Sequence, residues 1–274
     1  APRSRNAWTE RADLVLRLFD FESETCDVNY DTWPDDWTRR TGRGFPSYLK
    51  VGIGPFSEIG AVRSGTARPN ASGTSTMPMA PNRPSDSLAD APRPFDCGKQ
   101  ALGIRMDGGA AEISSPPIPI NSHYSYALDG WVLLTPSGWS ERNEAWISLT
   151  LSDRDGTLRQ THRSQQVEQD GEWTHLRLGP VIPSDPAFEF LTVTLHVRPT
   201  RVEDVFGEAW FDAIRVSHLP KLNAKTSHPF NLFHAPDEVE IVCLFSGMEA
   251  QQGVIEYHLT DIDDRTIARR RLGL

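Results

Sequence analysis

Trp210-Phe211-Asp212-Ala213-Ile214-Arg215-Val216 reads as a β-strand interrupted by one acidic residue. Near the other end, the apolar run that begins at Leu14 closes on a second acidic stretch, Phe19-Asp20-Phe21-Glu22. Several alternating apolar runs lie between the two. A β-sandwich whose first and last strands both end in carboxylates can bring those carboxylates together. The usual occupant of such a place is a hard cation, most often calcium, held by oxygen ligands. This pattern suits a binding or scaffolding module better than an enzyme.

Working outward, the remaining strand signals come at regular intervals. Gln100 to Met106, Tyr124 to Leu134, Ala145 to Leu151, Trp173 to Leu178, Phe190 to Val197 and Ala209 to Val216 are apolar or alternating runs. Asp155-Gly156 and Asp170-Gly171 between them are turn chemistry. Helical periodicity is almost absent. The fold expected is all-β, a sandwich or jelly roll spanning residues 1–219. Trp33 and Trp37 flank Pro34-Asp35-Asp36 as aromatic plugs of a polar loop. Residues 57–94 are dominated by Ser, Thr, Ala, Pro, Gly and Asn, so they bury too little apolar surface to offset ordering entropy. That stretch is expected to be a long surface loop. A boundary is expected near Pro220 to Ser227. Beyond it, Glu238 to Phe245 and Gly253 to Leu259 read as two further strands, a linker and partial β-unit over 220–274. Two strands do not hold a domain alone. They are either the immunoglobulin-like start of a second sandwich or a pair packed on the first.

Composition narrows the function classes. The 274 residues allow one large or two modest domains, and the 21 prolines and 20 glycines supply many turns. A net charge of −9 argues against nucleic acid as partner. No apolar run reaches the roughly 20 residues of a membrane helix, so no membrane partner is expected. The start, Ala1-Pro2-Arg3-Ser4-Arg5, has no apolar signal region, as in a mature, trimmed or fragmentary chain. Cys26, Cys97 and Cys243 have no metal-finger spacing. A Cys26–Cys97 disulfide would suit an exported protein, and buried thiols are the equal alternative. Arg269-Arg270-Arg271 is read as a solvated strand end.

Strand alternation assigns faces. Tyr126, Leu128, Gly130 and Val132 share one side, and Asp129 and Trp131 the other. Ala145, Ile147, Leu149 and Leu151 look inward, leaving Trp146, Ser148 and Thr150 outside. Leu191, Val193, Leu195 and Val197 do the same, leaving Thr192, Thr194, His196 and Arg198 outside. Trp210 stands opposite Phe211. If the inward sets form one core, Trp131, Trp146, Trp210, His196 and Arg198 line one outer surface, with Asp129 beside them. A tryptophan stacks on the C–H face of a sugar ring while Asp, His or Arg bonds its hydroxyls. Plain packing under loops or a neighbouring domain is the competing reading.

The strand motifs together resemble the galactose-binding-like β-sandwich of carbohydrate-binding modules in bacterial multidomain glycoside hydrolases. The pieces that carry it are Phe19-Asp20-Phe21-Glu22, Gly98-Lys99-Gln100-Ala101-Leu102, Tyr124 to Val132, Ala145-Trp146-Ile147-Ser148-Leu149, Trp173-Thr174-His175-Leu176 and Gly207 to Asp212. They span about residues 12 to 218. The resemblance implies a jelly-roll fold, carbohydrate as ligand, a secreted (extracellular or periplasmic) location and a structural calcium tying the first strand to the last. The positions matching that calcium pattern are Asp20, Glu22 and Asp212, with backbone carbonyl support near Lys99. Capping of strand ends by Glu22 and Asp212 is the alternative. Asn231 to Val239 also resembles the opening of a small β-domain that lies before a catalytic barrel in glycoside hydrolases. The neighbouring partner would then be a catalytic domain, which the sandwich braces without a ligand of its own.

No nucleophile elbow, zinc-protease helix or phosphate loop occurs in the sequence. Carboxylates such as Asp153, Asp155, Asp261, Asp263 and Asp264 sit in turn sequences. No residue of this chain is assigned a catalytic role.

Overall fold

The computed structural model describes residues 14–41, 48–55, 98–107, 109–135, 143–168, 171–199, 206–226, 240–247, 254–260 and 263–273. In chain order these hold β1 (Val15–Phe19), a four-residue helical turn α1 (Ser23–Cys26), β2 (Thr38–Thr41), β3 (Tyr48–Pro55) and β4 (Gln100–Asp107). Next come β5 (Ala111–Ser114), β6 (Ile118–Pro119), β7 (Tyr124–Leu134), β8 (Asn143–Ser152), β9 (Arg159–Arg163) and β10 (Thr174–Val181). The last are β11 (Phe190–Pro199), β12 (Phe206–Thr226), β13 (Ile241–Ser246), β14 (Val254–Thr260) and β15 (Thr266–Gly273). The expected long loop at 57–94 lies outside the described residues, as does Cys97 and therefore the question of its pairing with Cys26.

The strands form the two antiparallel sheets of a sandwich. One has seven strands, in the order β10-β7-β12-β4-β3, with β1 and β13 also pairing with β12. The other has six, in the order β2-β5-β11-β8-β9, with β6 pairing with β11. Their inner faces carry the alternating apolar sets. Leu102, Ile104 and Met106 of β4, Ile147, Leu149 and Leu151 of β8, and Leu191, Val193, Leu195 and Val197 of β11 are all 0% exposed. Each such side chain contributes about 1.5–3 kcal/mol relative to exposure. The β-branched Thr and Val of β11 fit a pleated surface that is buried on one side only. Phe19, Phe21 and Trp37 close one corner of the core, with ring centroids 5.0 Å apart for Phe19–Trp37 and 5.6 Å for Phe21–Trp37. Trp33 donates its indole N–H to the Trp37 carbonyl at 2.9 Å, so both aromatic plugs are fixed.

The chain divides into two compact units, one of residues 1–122 and 126–218, the other of residues 123–125 and 219–274. The expected linker at Pro220 to Ser227 is instead strand as far as Thr226. The reason is non-local: Lys221 through Thr226 find hydrogen-bonding partners in Ser246 through Ile241 of β13. In the second unit β14 and β15 form a two-stranded sheet. Arg269, Arg270 and Arg271 are exposed on β15, with Arg269 donating to Glu256 at 2.6 Å.

Candidate functional site

The outer face of the six-stranded sheet is a field of polar side chains around one indole. Register places Trp146 of β8 directly across from His196 of β11, and Glu144 across from Arg198. The rings of Trp146 and His196 stack with centroids 4.8 Å apart and planes 7° from parallel. The Arg198 guanidinium lies over the same indole, 5.1 Å from its centroid. Glu144 holds Arg198 by two bonds to one carboxylate oxygen, from Nε at 2.9 Å and Nη2 at 2.8 Å. His196 Nε2 shares a hydrogen bond with Ser148 Oγ at 2.8 Å. Glu112 Oε1 stands 3.6 Å from His196 Nδ1, beyond hydrogen-bond length. Burial first, and the nearby Arg198 charge second, push the His196 pKa down to about 4, so the ring is neutral at neutral pH. Beside this group runs a row of hydroxyls: Ser114 and Thr194 bond at 2.9 Å, and Thr150 and Thr161 at 3.1 Å. Indole, guanidinium, carboxylate and hydroxyls thus share one sheet face, and groups of these kinds can contact a sugar ring.

The outer face of the seven-stranded sheet is built differently. Trp210 lies over Gly103, its register partner on β4, and a Cβ there would come within 2.9 Å of the indole. Leu133, Ala101 and Trp173 pack around it, and Trp210 is only 3% exposed. Its indole N–H donates to Glu208 Oε1 at 3.0 Å, and the same oxygen accepts Arg105 Nε at 2.7 Å. The other Glu208 oxygen accepts the Thr135 hydroxyl at 3.2 Å. Trp210 is therefore a covered packing residue on this face, with its one polar atom satisfied. Further along, Trp131 stacks on His175 at 4.6 Å and 19°. Asp129 accepts from Arg215 through both oxygens, at 3.0 and 3.2 Å, and from His175 Nε2 at 3.4 Å.

The six residues expected on one surface thus divide between two. Trp146, His196 and Arg198 stand on the six-stranded sheet, whereas Asp129, Trp131 and Trp210 stand on the seven-stranded one. Alternation separated inside from outside on each strand correctly. It carries no information about which sheet a strand joins, and that corrects the single-surface expectation. Glu144, Ser148, Thr194 and Glu112 complete the first group; His175 and Arg215 complete the second. Outward alternation already placed Ser148 and Thr194. The same rule applied to Leu176, which is 0% exposed, would have placed His175 outward.

The first strand does pair with the strand that carries Asp212, β1 with β12. The β1–β12 pairing runs as far as Phe19 and Ile214, and the β4–β12 pairing as far as Leu102 and Phe211. Glu22 Oε1 accepts the backbone N–H groups of Lys99 at 2.6 Å and Gln100 at 2.9 Å. A side chain at Gly98, whose φ is +77°, would collide with that carboxylate. Asp20 Oδ1 accepts the Glu22 amide at 3.4 Å, and Asp212 Oδ1 accepts the Ala213 amide at 2.6 Å. Phe21 and Ala213 both take positive φ, 52° and 50°, a conformation that strains non-glycine residues. Asp212 is fully buried, where a carboxylate is costly unless compensated. Among the described residues no group of three His, Cys, Asp or Glu side chains is placed to hold a metal ion. Lys99 contributes its N–H to Glu22, and the junction as it stands is a carboxylate–amide clamp between β1 and β4.

No family model matches the chain, and no curated protein matches it. Solved structures do. One is the enzymatically active domain of bacteriophage CBA120 tailspike protein 4, at 12% identity and TM-score 0.41, covering 73% of this chain and 21% of that one. Another comes from work on the promiscuous specificity of carbohydrate-binding modules of the β-sandwich superfamily, at 12% identity and TM-score 0.41, covering 69% and 59%. The chain thus spans about a fifth of the first structure's length and about three-fifths of the second's. It is also similar, at 15% identity and TM-score 0.38, to the CBM22-1 xylan-binding domain from Paenibacillus barcinonensis Xyn10C, covering 73% of this chain and 94% of that domain.

Proposed function

We propose that this chain is a non-catalytic carbohydrate-binding module whose ligand lies across the outer face of the six-stranded sheet. The observation that carries the reading is Trp146, half-buried on that face and flanked by His196, the Arg198–Glu144 pair and the Ser148 hydroxyl. The indole supports the apolar side of a sugar ring, and the flanking groups bond its hydroxyls. The module works as part of a larger secreted polysaccharide-acting protein, beside a catalytic domain, and a structural calcium at Asp20, Glu22, Lys99 and Asp212 belongs to the same proposal.

Isothermal titration with a panel of neutral β-linked oligosaccharides tests it, comparing the wild type with Trp146→Ala. Binding that weakens about tenfold or more in the variant supports the reading, since losing an aromatic contact and its buried area costs over 1 kcal/mol. Binding unchanged in Trp146→Ala, or no binding to any member, overturns it.

A second reading is the bracing domain with no ligand of its own. It draws on the exposed apolar side chains of the second unit, where Ile241, Val242, Leu244 and Val254 are 46–56% exposed. It predicts no oligosaccharide binding by the isolated chain in the same titration.

A further inference from the structure

We infer that the outer face of the seven-stranded sheet carries a second, separate site, which takes the carboxylate of an acidic sugar. The inference stands on a chain of hydrogen bonds that crosses three strands. Arg215 of β12 is clamped to Asp129 of β7 through Nε at 3.2 Å and Nη2 at 3.0 Å. Asp129 Oδ1 also accepts His175 Nε2 at 3.4 Å. On the far side of the same ring, His175 Nδ1 accepts Arg177 Nε at 2.8 Å. A guanidinium only donates, so Nδ1 is the bare nitrogen and the ring proton sits on Nε2, aimed at Asp129. His175 is therefore a neutral spacer between one acid and one guanidinium.

The charge balance follows. Asp129 is spent on Arg215. Arg177 is exposed and bonds a neutral nitrogen, and among the described residues no carboxylate forms an ion pair with it. Within this bonded row of described residues, two guanidiniums stand against one carboxylate, an excess of one positive charge in a chain whose net charge is −9. A loose surface arginine would mean little. This one is oriented by its Nε bond, which leaves its two terminal nitrogens as a fork, and a fork of that kind matches a planar carboxylate. Trp131, the register partner of His175 and stacked on it at 4.6 Å, lies on the same face two positions from the Asp129–Arg177 pair. A carboxylate joined to a pyranose ring offers both halves of that pattern: the anion for Arg177 and the C–H face for Trp131. Leu18, the register partner of Arg215 and 45% exposed, continues the apolar edge of the row.

The site is independent of the proposed ligand face, which lies on the other sheet, so the two stand or fall separately. The test is titration of the full chain with trigalacturonate at low salt, alongside a neutral trisaccharide and free acetate. The expected result is binding of trigalacturonate that weakens as salt rises. It falls at least about tenfold in Arg177→Gln, with the same melting temperature, and is undiminished in Trp146→Ala. Arg177→Lys should restore only part of it, because an ammonium keeps the charge and loses the fork. Trigalacturonate binding no tighter than acetate, binding untouched by Arg177→Gln, or no binding at all would overturn the inference. Loss of uronate binding in Trp146→Ala alone would also overturn it, by moving the anion to the six-stranded sheet.

Discussion

The two outer faces of this sandwich carry the same residue types to different ends. On the seven-stranded sheet the central tryptophan, Trp210, is 3% exposed, with its N–H bonded to a buried Glu208 that Arg105 and Thr135 also hold. On the six-stranded sheet Trp146 remains partly open, with polar partners on a surface otherwise made of hydroxyls and ions. An outward-pointing tryptophan is therefore no binding residue by orientation alone. What covers it decides its role, and that depends on which strands lie beside it. Trp210 has glycine beneath it on β4 and an apolar set around it; Trp146 has a histidine across from it and an arginine two residues beyond that histidine.

The sharpest way to break this contrast is to remove each indole in turn. Trp210→Ala should lower unfolding free energy by about 3–5 kcal/mol, the range for large aromatic-to-alanine changes in packed sites. Urea denaturation reads this directly, and a loss under 1 kcal/mol would mean that Trp210 is not a packing residue. A second expected effect comes from His196. Its folded pKa of about 4 lies below the ordinary 6.5, so the unfolded state takes up a proton that the folded state refuses. The stability is whole above about pH 6.5 and is lost as pH falls toward 4, on the order of 3 kcal/mol in all. Arg198 and Glu112 both face the ring, and protonation would recruit the Glu112 carboxylate 3.6 Å away as partial compensation. His196→Gln should flatten that part of the stability–pH curve; an unchanged slope contradicts the assignment.

Calcium is the third test. Saturation at a hundred times its Kd should raise unfolding free energy by about 2.7 kcal/mol if the β1–β12 junction binds the ion. Asp212→Ala should abolish the increment. Equal melting in calcium and in chelator would leave Glu22 as an amide clamp alone. The smallest expected change is in the stability of Trp146→Ala, under about 1 kcal/mol, because its ring leans on partners at a surface. A large loss there would make the two tryptophans alike and erase the contrast.

Much of this was legible in the sequence, and the limits have physical causes. The apolar alternation of Tyr126–Leu134, Ala145–Leu151 and Leu191–Val197 gave the strands and their inner faces, because a period of two follows from backbone geometry alone. The meeting of the first strand with the strand that holds Asp212 was legible too, and it appears as the β1–β12 pairing. Sheet membership was not. Whether β7 and β8 share a sheet depends on pairing between strands far apart in the chain, and no local pattern encodes it. The division of Trp131 from Trp146 follows from that. β2 and β5, four residues each, are too short to show a period. The strand past Pro220 was hidden because its partner, β13, begins some twenty residues later.

The most direct test of the central claim maps a neutral oligosaccharide onto the protein by NMR. With labelled protein, the account predicts shifts in the Trp146 indole and in the amides of Ser148, Thr194, His196 and Arg198, with Trp131 and Trp210 silent. Shifts confined to Trp131, Asp129 and His175, with Trp146 unmoved, would place the ligand on the opposite sheet and contradict it.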